Sequence, residues 1–143
     1  MHDLSMRKAY RVFFSHGSED TFVVKQTLKP LVEGTGAEVF LDAGTIEYGD
    51  DFRARLLAAL AEFDELLVLL TRSSLKRPWV TAEIGAALIR GKRIIAVRYG
   101  PTESELQELG ILSLLGTNSL LRIDDFEQYV LQLDGRVKAR LNE

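Results

Sequence analysis

Two short apolar runs, both lacking the polar alternation of a half-exposed strand, most constrain the fold of this chain. One is Leu66–Leu70, and the other is Arg93–Tyr99, whose centre reads Ile-Ile-Ala-Val. Strands that are apolar at successive positions are typical of parallel sheets with helices on both faces. Helical periodicity separates the runs, so the sequence predicts a series of βαβ units.

The whole pattern predicts one α/β domain of flavodoxin-like architecture, a three-layer sandwich with helices on both faces of a five-stranded parallel sheet. The predicted strands are Val12–Ser15, Glu38–Leu41, Leu66–Leu70, Arg93–Tyr99 and Ser119–Ile123. The predicted helices cover 20–33, 52–63, a segment starting at Pro78, a short piece over 103–109, and 125–141. The expected core-facing side chains are Phe22, Val23, Leu28, Leu31 and Val32 in the first helix and Val80, Ile84, Ala87 and Leu88 in the third.

Composition excludes several classes of function. The 143 residues carry 18 Lys and Arg against 21 Asp and Glu, without a basic block, so neither nucleic acid nor a membrane is an expected partner. With no cysteine and two histidines, neither a thiolate nucleophile nor a metal site is expected. No apolar run approaches the ~18 residues of a membrane span. We expect a cytoplasmic domain over 11–143, preceded by an N-terminal extension at 1–10.

The usual ligand motifs of this architecture are missing. The chain has neither a phosphate-binding loop with its lysine nor a glycine fingerprint after the first strand. A phospho-acceptor receiver domain needs acidic residues where Ser15, His16 and Thr71 stand.

Trp79 and Glu83 form the strongest candidate site. They lie four residues apart where a helix begins, so both occupy one face of it, near the carboxyl edge of the predicted sheet. We expect the pair at the margin of the core stripe, where a carboxylate is partly desolvated and still reachable, as suits a catalytic acid. An aromatic wall beside an acid can hold a flat ring and oppose a developing positive charge. The alternatives are a solvated helix glutamate and a tryptophan that anchors the core.

Two loops flank this pair. The segment Ser15–Asp20 follows the first strand, where it either faces a ligand or caps the next helix through Ser18 or Asp20. The segment Asp42–Gly49 is either a mobile recognition loop or a simple connector. A Ser-His-acid triad is disfavoured because adjacent Ser15 and His16 point to opposite sides of a strand end.

Several segments, in this order, resemble the characteristic boxes of Toll/interleukin receptor (TIR) domains. They are Val12–His16 with the trailing Ser18–Asp20, then Val39–Asp42 with Ile46, Gly49 and Phe52, Leu66–Ser73, Trp79–Ile84 and Arg93–Val97. The motifs span residues 11–99, and residues 119–141 match by architecture. One departure is that 44–49 lacks the proline that signalling receptors often carry there, which argues against a receptor role.

Many TIR domains cleave NAD⁺ between nicotinamide and ribose, so the resemblance implies an NAD⁺ glycohydrolase or cyclase that consumes NAD⁺ as substrate and needs no cofactor. It implies that Glu83 is catalytic and that the substrate-binding residues are Trp79, Ser15, His16, Phe14, Asp42 and Phe52. It further implies activation by self-association with other TIR domains through the 42–49 loop, a separate sensor or effector protein as partner, and a role in antiviral defence signalling.

The chemistry is compatible with one carboxylate. Nicotinamide leaves NAD⁺ as a neutral molecule, so the general acid that ordinary glycosidases need is unnecessary. Two alternatives stay open: a TIR scaffold that binds other TIR domains without turnover, and an enzyme resembling nucleoside deoxyribosyltransferases, which base exchange on deoxynucleosides would reveal.

Overall fold

A computed structural model describes residues 9–41, 61–115 and 120–142, with the backbone alone for Trp79, Leu112 and Leu114. Its strands are β1 (Arg11–Ser15), β2 (Glu38–Leu41), β3 (Glu65–Leu70), β4 (Arg93–Arg98) and β5 (Leu120–Arg122). They form one sheet in the order β2-β1-β3-β4-β5, and every pairing is parallel. The predicted five-stranded parallel sheet is therefore confirmed, with strand ends within one or two residues of those expected.

The described helices connect the strands and cover the sheet. They are α1 (Thr21–Val23), α2 (Lys29–Glu33), α3 (Pro78–Ile89), α4 (Glu103–Glu108), α5 (Ile111–Leu115) and α6 (Phe126–Leu141). Short 3₁₀ turns precede α1, α3 and α6 at Ser18–Asp20, Ser74–Lys76 and Ile123–Asp125. A π-helical turn, Val24–Leu28, joins α1 to α2.

Two apolar clusters, one on each face of the sheet, make up the core. On one face, Phe13 and Val68 pack with residues of α3, α4 and α5. On the other, Val12 and Phe14 pack with the α1–α2 segment and α6. Alternate residues of β1 thus enter different clusters, as strand geometry requires, and β3 is buried along its whole length. Both faces are covered, which confirms the three-layer prediction.

The prediction for the first helix is wrong at two core positions. Phe22 and Leu31 are 76% and 45% exposed, whereas Val24, Leu28 and Val32 are buried. The buried residues Val24, Leu28 and Val32 follow one another at a spacing of four, which places them on one face of the segment. Phe22 lies two residues before Val24 and Leu31 one residue before Val32, so both side chains lie off that face. A π-helical turn just before Pro30 accommodates the proline, which lacks an N–H and clashes with the carbonyl four residues earlier.

Three further expectations need correction. Leu88 is 42% exposed and so lies outside the core stripe of α3. The segment after Gly100 holds a second short helix, α5, where a loop was expected, while α4 begins with a Thr102–Glu105 capping box. Neither Ser18 nor Asp20 caps the first helix through its side chain. Residues 1–8 of the predicted extension at 1–10, the loop Asp42–Gly49 and most of the predicted helix over 52–63 lie outside the described residues.

Among the described residues, no helix combines the length and the apolar character needed to cross a membrane.

Candidate functional site

The strand order creates a diverging point between β1 and β3 at the carboxyl edge of the sheet. After β1 the chain turns to the face covered by α1, α2 and α6, and after β3 it turns to the face covered by α3. Connections that diverge in this way leave a crevice, which is where open α/β sheets bind ligands. The loops that border it are 16–20 and 71–77.

Glu83 lies beside this crevice, in the second turn of α3. Pro78 occupies the first turn of the helix, where its missing N–H is not needed. Glu83 shares a helix face with Val80 and Ala87, three residues before it and four after, and both contact the core. The side chain of Glu83 is fully buried. A carboxylate at the reachable margin of the core was expected, so the enclosure of Glu83 is a correction to that expectation.

Ser15 contacts Glu83 across the layer between sheet and helix. The Ser15 hydroxyl donates a hydrogen bond to Glu83 Oε1 at 2.6 Å, and both side chains are fully buried. Ser15 ends β1, two residues after Phe13, and therefore points to the same face of the sheet, toward α3. The fold thus joins two predicted site residues that are 68 positions apart in the chain.

His16, the next residue, is half-buried and adopts one tautomer. Its Nδ1 lies 2.8 Å from the carbonyl oxygen of Gly17. Because a carbonyl oxygen only accepts, Nδ1 carries the proton and donates, and in the neutral ring Nε2 is left as an acceptor. The His16 ring also meets the edge of Phe14, with centroids 6.4 Å apart.

The two loops at the crevice are tied together by side chains. The Thr71 hydroxyl donates to Asp20 Oδ2 at 2.7 Å, and Arg77 donates to the Ser18 hydroxyl at 3.1 Å. Arg77 also lies 3.6 Å from the carboxylate of Glu19. Gly17 packs against the backbone of the 71–77 loop so closely that a Cβ there would lie 3.2 Å from the Cα of Ser74. These contacts join the two loops at the carboxyl edge of the sheet.

The structure brings some of the predicted site residues together and leaves others apart. Ser15 and Glu83 are in contact, whereas Phe14 is fully buried in the cluster on the opposite face of the sheet. Trp79 occupies the backbone position one turn before Glu83, and its side chain lies outside what the structure describes. Asp42 and Phe52 also lie outside the described residues. The substrate contacts assigned to these residues stay predictions.

Thr71 and Ser74 are residues of this site that sequence reasoning missed. Ser74 accepts from the Thr71 backbone N–H, donates to the Leu69 carbonyl and is fully buried. The Ser74 N–H in turn donates to the Thr71 hydroxyl. The sequence pattern that could have indicated them is a hydroxyl residue, Thr71, directly after a fully apolar strand, with a second hydroxyl residue, Ser74, three positions later. This spacing is typical of a turn closed by side-chain hydrogen bonds.

The opposite, amino edge of the sheet holds a second buried carboxylate, Glu65, at the start of β3. It accepts hydrogen bonds from the hydroxyls of Tyr10 and Tyr129 at 2.5 and 2.6 Å, and from the Arg136 guanidinium at 3.0 and 3.2 Å. Burial, together with the hydrogen bond and charge of Glu65, raises the pKa of Tyr10 to about 12. Burial and the charge of Glu65 likewise raise the pKa of Tyr129 well above its ordinary value.

Burial alone would lower the pKa of the Arg136 guanidinium, but the hydrogen bonds and charge of Glu65 outweigh it and raise that pKa. The phenols and the guanidinium therefore keep their protons, and all of them point at one carboxylate. This arrangement binds three distant parts of the chain together.

A cavity among the described residues lies apart from Glu83. In the ranges 9–41, 61–115 and 120–142, no group of three or more histidine and acidic side chains could hold a metal ion. A cavity of about 860 Å³ is lined by residues of β4, β5 and α6, including Arg93, Arg122 and Arg136, and it includes neither Ser15 nor Glu83.

Comparison with known proteins identifies relatives of this chain. It is 30% identical over 81 residues to a protein of Brucella abortus named probable 2′ cyclic ADP-D-ribose synthase TcpB, covering 57% of this chain and 32% of the relative. It is 28% identical over 102 residues to NAD(+) hydrolase TcpA of a Theionarchaea archaeon, covering 68% and 31%. The chain thus spans about a third of the length of these relatives.

A solved structure supports the fold. The TIR domain heterodimer of RPS4 and RRS1 superposes with a TM-score of 0.62 at 13% identity, covering 93% of this chain and 98% of the other. The sequence profile of the TIR domain matches residues 12–132. The protein is therefore a member of the TIR domain family.

Proposed function

We propose that this TIR domain cleaves NAD⁺ at the bond between nicotinamide and ribose, with Glu83 as the catalytic carboxylate. The observation that carries the proposal is the position of Glu83: fully buried, at the carboxyl edge beside the β1–β3 diverging point, and held by Ser15. The names of the two relatives, a cyclic ADP-ribose synthase and an NAD⁺ hydrolase, support the same bond cleavage.

The reaction needs little from the protein beyond a fixed negative charge. The bond between ribose C1′ and the nicotinamide nitrogen breaks, and its electron pair neutralises the pyridinium ring, which leaves without being protonated. Positive charge then develops on the ribose, and a carboxylate held in a water-poor site stabilises it more strongly than water would. In hydrolysis, water adds to C1′ and releases a proton to solvent. In cyclisation, a nucleophile within ADP-ribose adds instead.

The enclosure of Glu83 bears on regulation. Because Glu83 is fully buried, NAD⁺ reaches it only when the site opens, and we expect the 16–20 and 71–77 loops, which the Asp20–Thr71 and Arg77–Ser18 hydrogen bonds join, to move apart in that opening. The domain would therefore be nearly silent when dilute. Self-association with other TIR domains, in response to a sensor or effector partner in defence signalling, would open the site and activate the enzyme.

The test is release of nicotinamide from NAD⁺ by the purified chain, first dilute and then clustered on beads or by a crowding agent. Clustering should raise the release, and Glu83→Gln should lower it by about 10²–10³-fold, as removal of a transition-state charge does elsewhere. Glu108→Gln is a matched control, because Glu108 is an exposed helix glutamate. If clustered protein releases no nicotinamide, or if Glu83→Gln matches the parent, the enzymatic proposal fails.

A scaffold without turnover is the second candidate, and one observation favours it. The similar RPS4 and RRS1 domains are described as a heterodimer, so a TIR domain can act by pairing. If the clustered protein releases no nicotinamide, sedimentation of the free protein at increasing concentration measures whether it self-associates. Stable self-association without nicotinamide release would support the scaffold.

A further inference from the structure

We propose that Ser15 is the positioning residue of Glu83: its hydroxyl fixes the orientation of the carboxylate and does not bind substrate. This inference deepens the proposed function and rests on it. It concerns a role that the family resemblance did not imply, since the resemblance places Ser15 on the substrate-facing loop.

The hydrogen bond itself is the first argument. The distance of 2.6 Å between Ser15 Oγ and Glu83 Oε1 is that of a short hydrogen bond between a hydroxyl and a carboxyl oxygen. A serine hydroxyl has one hydrogen, and here it is engaged by Glu83. Ser15 therefore has no hydrogen left to donate to a ribose or a nicotinamide amide while it holds Glu83.

The placement of the two residues is the second argument. Ser15 is the last residue of β1 and pairs in the sheet with Val68 of β3, at the centre of the fold. Its side chain leaves the sheet on the α3 side and is fully buried, so it is enclosed between sheet and helix. A donor on a central strand is rigidly placed, whereas a glutamate has several rotatable bonds. The rigid partner therefore orients the flexible one.

Positioning of Glu83 and binding of substrate differ in their effects on kcat and KM. A positioning residue acts on the transition state through Glu83, so its loss lowers kcat and leaves KM nearly unchanged. A substrate contact that is equal in ground state and transition state raises KM instead. The two roles therefore predict different kinetics for the same substitution.

The experiment compares Ser15→Ala and Ser15→Thr with the parent, all clustered as above. Ser15→Ala should lower kcat about ten-fold with KM for NAD⁺ within about two-fold, and Ser15→Thr, which retains the hydroxyl, should recover most of the loss. Thr35→Val is a control for loss of a hydroxyl: Thr35 donates to the Val32 carbonyl at the amino edge, so kcat should not change. A Ser15→Ala loss that falls mainly in KM would overturn the proposal.

A second measurement is independent of turnover. Urea midpoints are compared for the parent, Ser15→Ala, Glu83→Ala and the double variant. Ser15→Ala should shift the urea midpoint at least about twice as far in the parent as in the Glu83→Ala background. In that background the Ser15–Glu83 hydrogen bond is already lost, so the second substitution removes less. Equal shifts would overturn the proposal. If the parent releases no nicotinamide, the proposed function fails, while this cycle still decides whether Ser15 holds Glu83.

Discussion

Glu65 and Glu83 are both fully buried glutamates of one small domain, and they lie at opposite edges of the same sheet. Glu65 starts β3 at the amino edge and accepts four hydrogen bonds from Tyr10, Tyr129 and Arg136. Glu83 lies at the carboxyl edge and accepts a hydrogen bond from the hydroxyl of Ser15. The same side chain is thus placed in two different electrostatic settings.

If Glu83 is the catalytic carboxylate, as we propose, the difference separates a residue of stability from a residue of chemistry. Arg136 brings a full positive charge to Glu65, and the three donors come from the N-terminal segment and from α6. A buried carboxylate that is satisfied in this way holds distant segments together. Ser15 donates to Glu83 as a neutral hydroxyl, whereas Arg136 brings a cation to Glu65; under the proposed function the Glu83 carboxylate stabilises positive charge that develops on a substrate. The two glutamates should therefore respond oppositely to substitution.

The largest effect expected at the amino edge is on folding. Glu65→Ala leaves the Arg136 guanidinium and two phenols without their acceptor, which should cost about 3–5 kcal/mol of the free energy of unfolding. Urea unfolding followed by circular dichroism measures it, and Glu108→Ala should change the same quantity by less than about 0.5 kcal/mol. The folded fraction of Glu65→Ala should keep its nicotinamide release. A stable but inactive Glu65→Ala would break the proposed division between the two edges.

The two phenols add a pH dependence to the amino edge. The pKa of Tyr10 is raised to about 12 in the folded protein, and that of Tyr129 is raised as well. Between pH 10 and 12 the unfolded chain loses these protons while the folded chain keeps them. The contribution of the two tyrosines to the free energy of unfolding is therefore fully present below pH 10 and is lost as the pH rises. The slope is at most about 1.4 kcal/mol per pH unit for each tyrosine.

Urea unfolding at pH 9, 10 and 11 measures this slope. Tyr10→Phe should make the slope shallower, although it also lowers stability at neutral pH by removing a hydrogen bond to Glu65. An equal slope in Tyr10→Phe and the parent would show that Tyr10 does not contribute to the loss of stability. Glu83→Gln should leave the slope unchanged, because Glu83 lies at the other edge.

These two edges differ in how far the sequence predicts them. Apolar runs and helix spacing are local, so they predict the strands, α3 and the position of Glu83 near the carboxyl edge. The partners of Glu65 are 55, 64 and 71 positions away, and no local pattern indicates them. To predict the Ser15–Glu83 contact, one must know both the face of β1 to which Ser15 points and the place where α3 packs, and no single local pattern gives both. Phe22 is exposed because the buried face of the first helical segment is set by Val24, Leu28 and Val32, and Phe22 lies on the other side.

The smallest effect on the free energy of unfolding is expected for substitution of Arg77. The same substitution tests whether the two loops restrict access to Glu83 in the resting protein. Arg77 is exposed, and its contacts with Ser18 and Glu19 join the two loops above Glu83. Surface pairs of this kind contribute little, so Arg77→Ala should change the free energy of unfolding by less than about 1 kcal/mol. If the closed loops limit access of NAD⁺ to Glu83, the dilute variant should nevertheless release nicotinamide several-fold faster than the dilute parent.

The comparison is made at equal protein concentration, with the clustered parent as the upper limit. Arg90→Ala is a suitable control, because Arg90 is an exposed arginine at the far end of α3 and joins neither loop. An unchanged dilute rate with a clustered rate equal to the parent's would show that the Arg77 contacts do not restrict access. A lower rate in both states would instead make Arg77 part of the NAD⁺ site, because a cation beside the crevice can also bind phosphate groups.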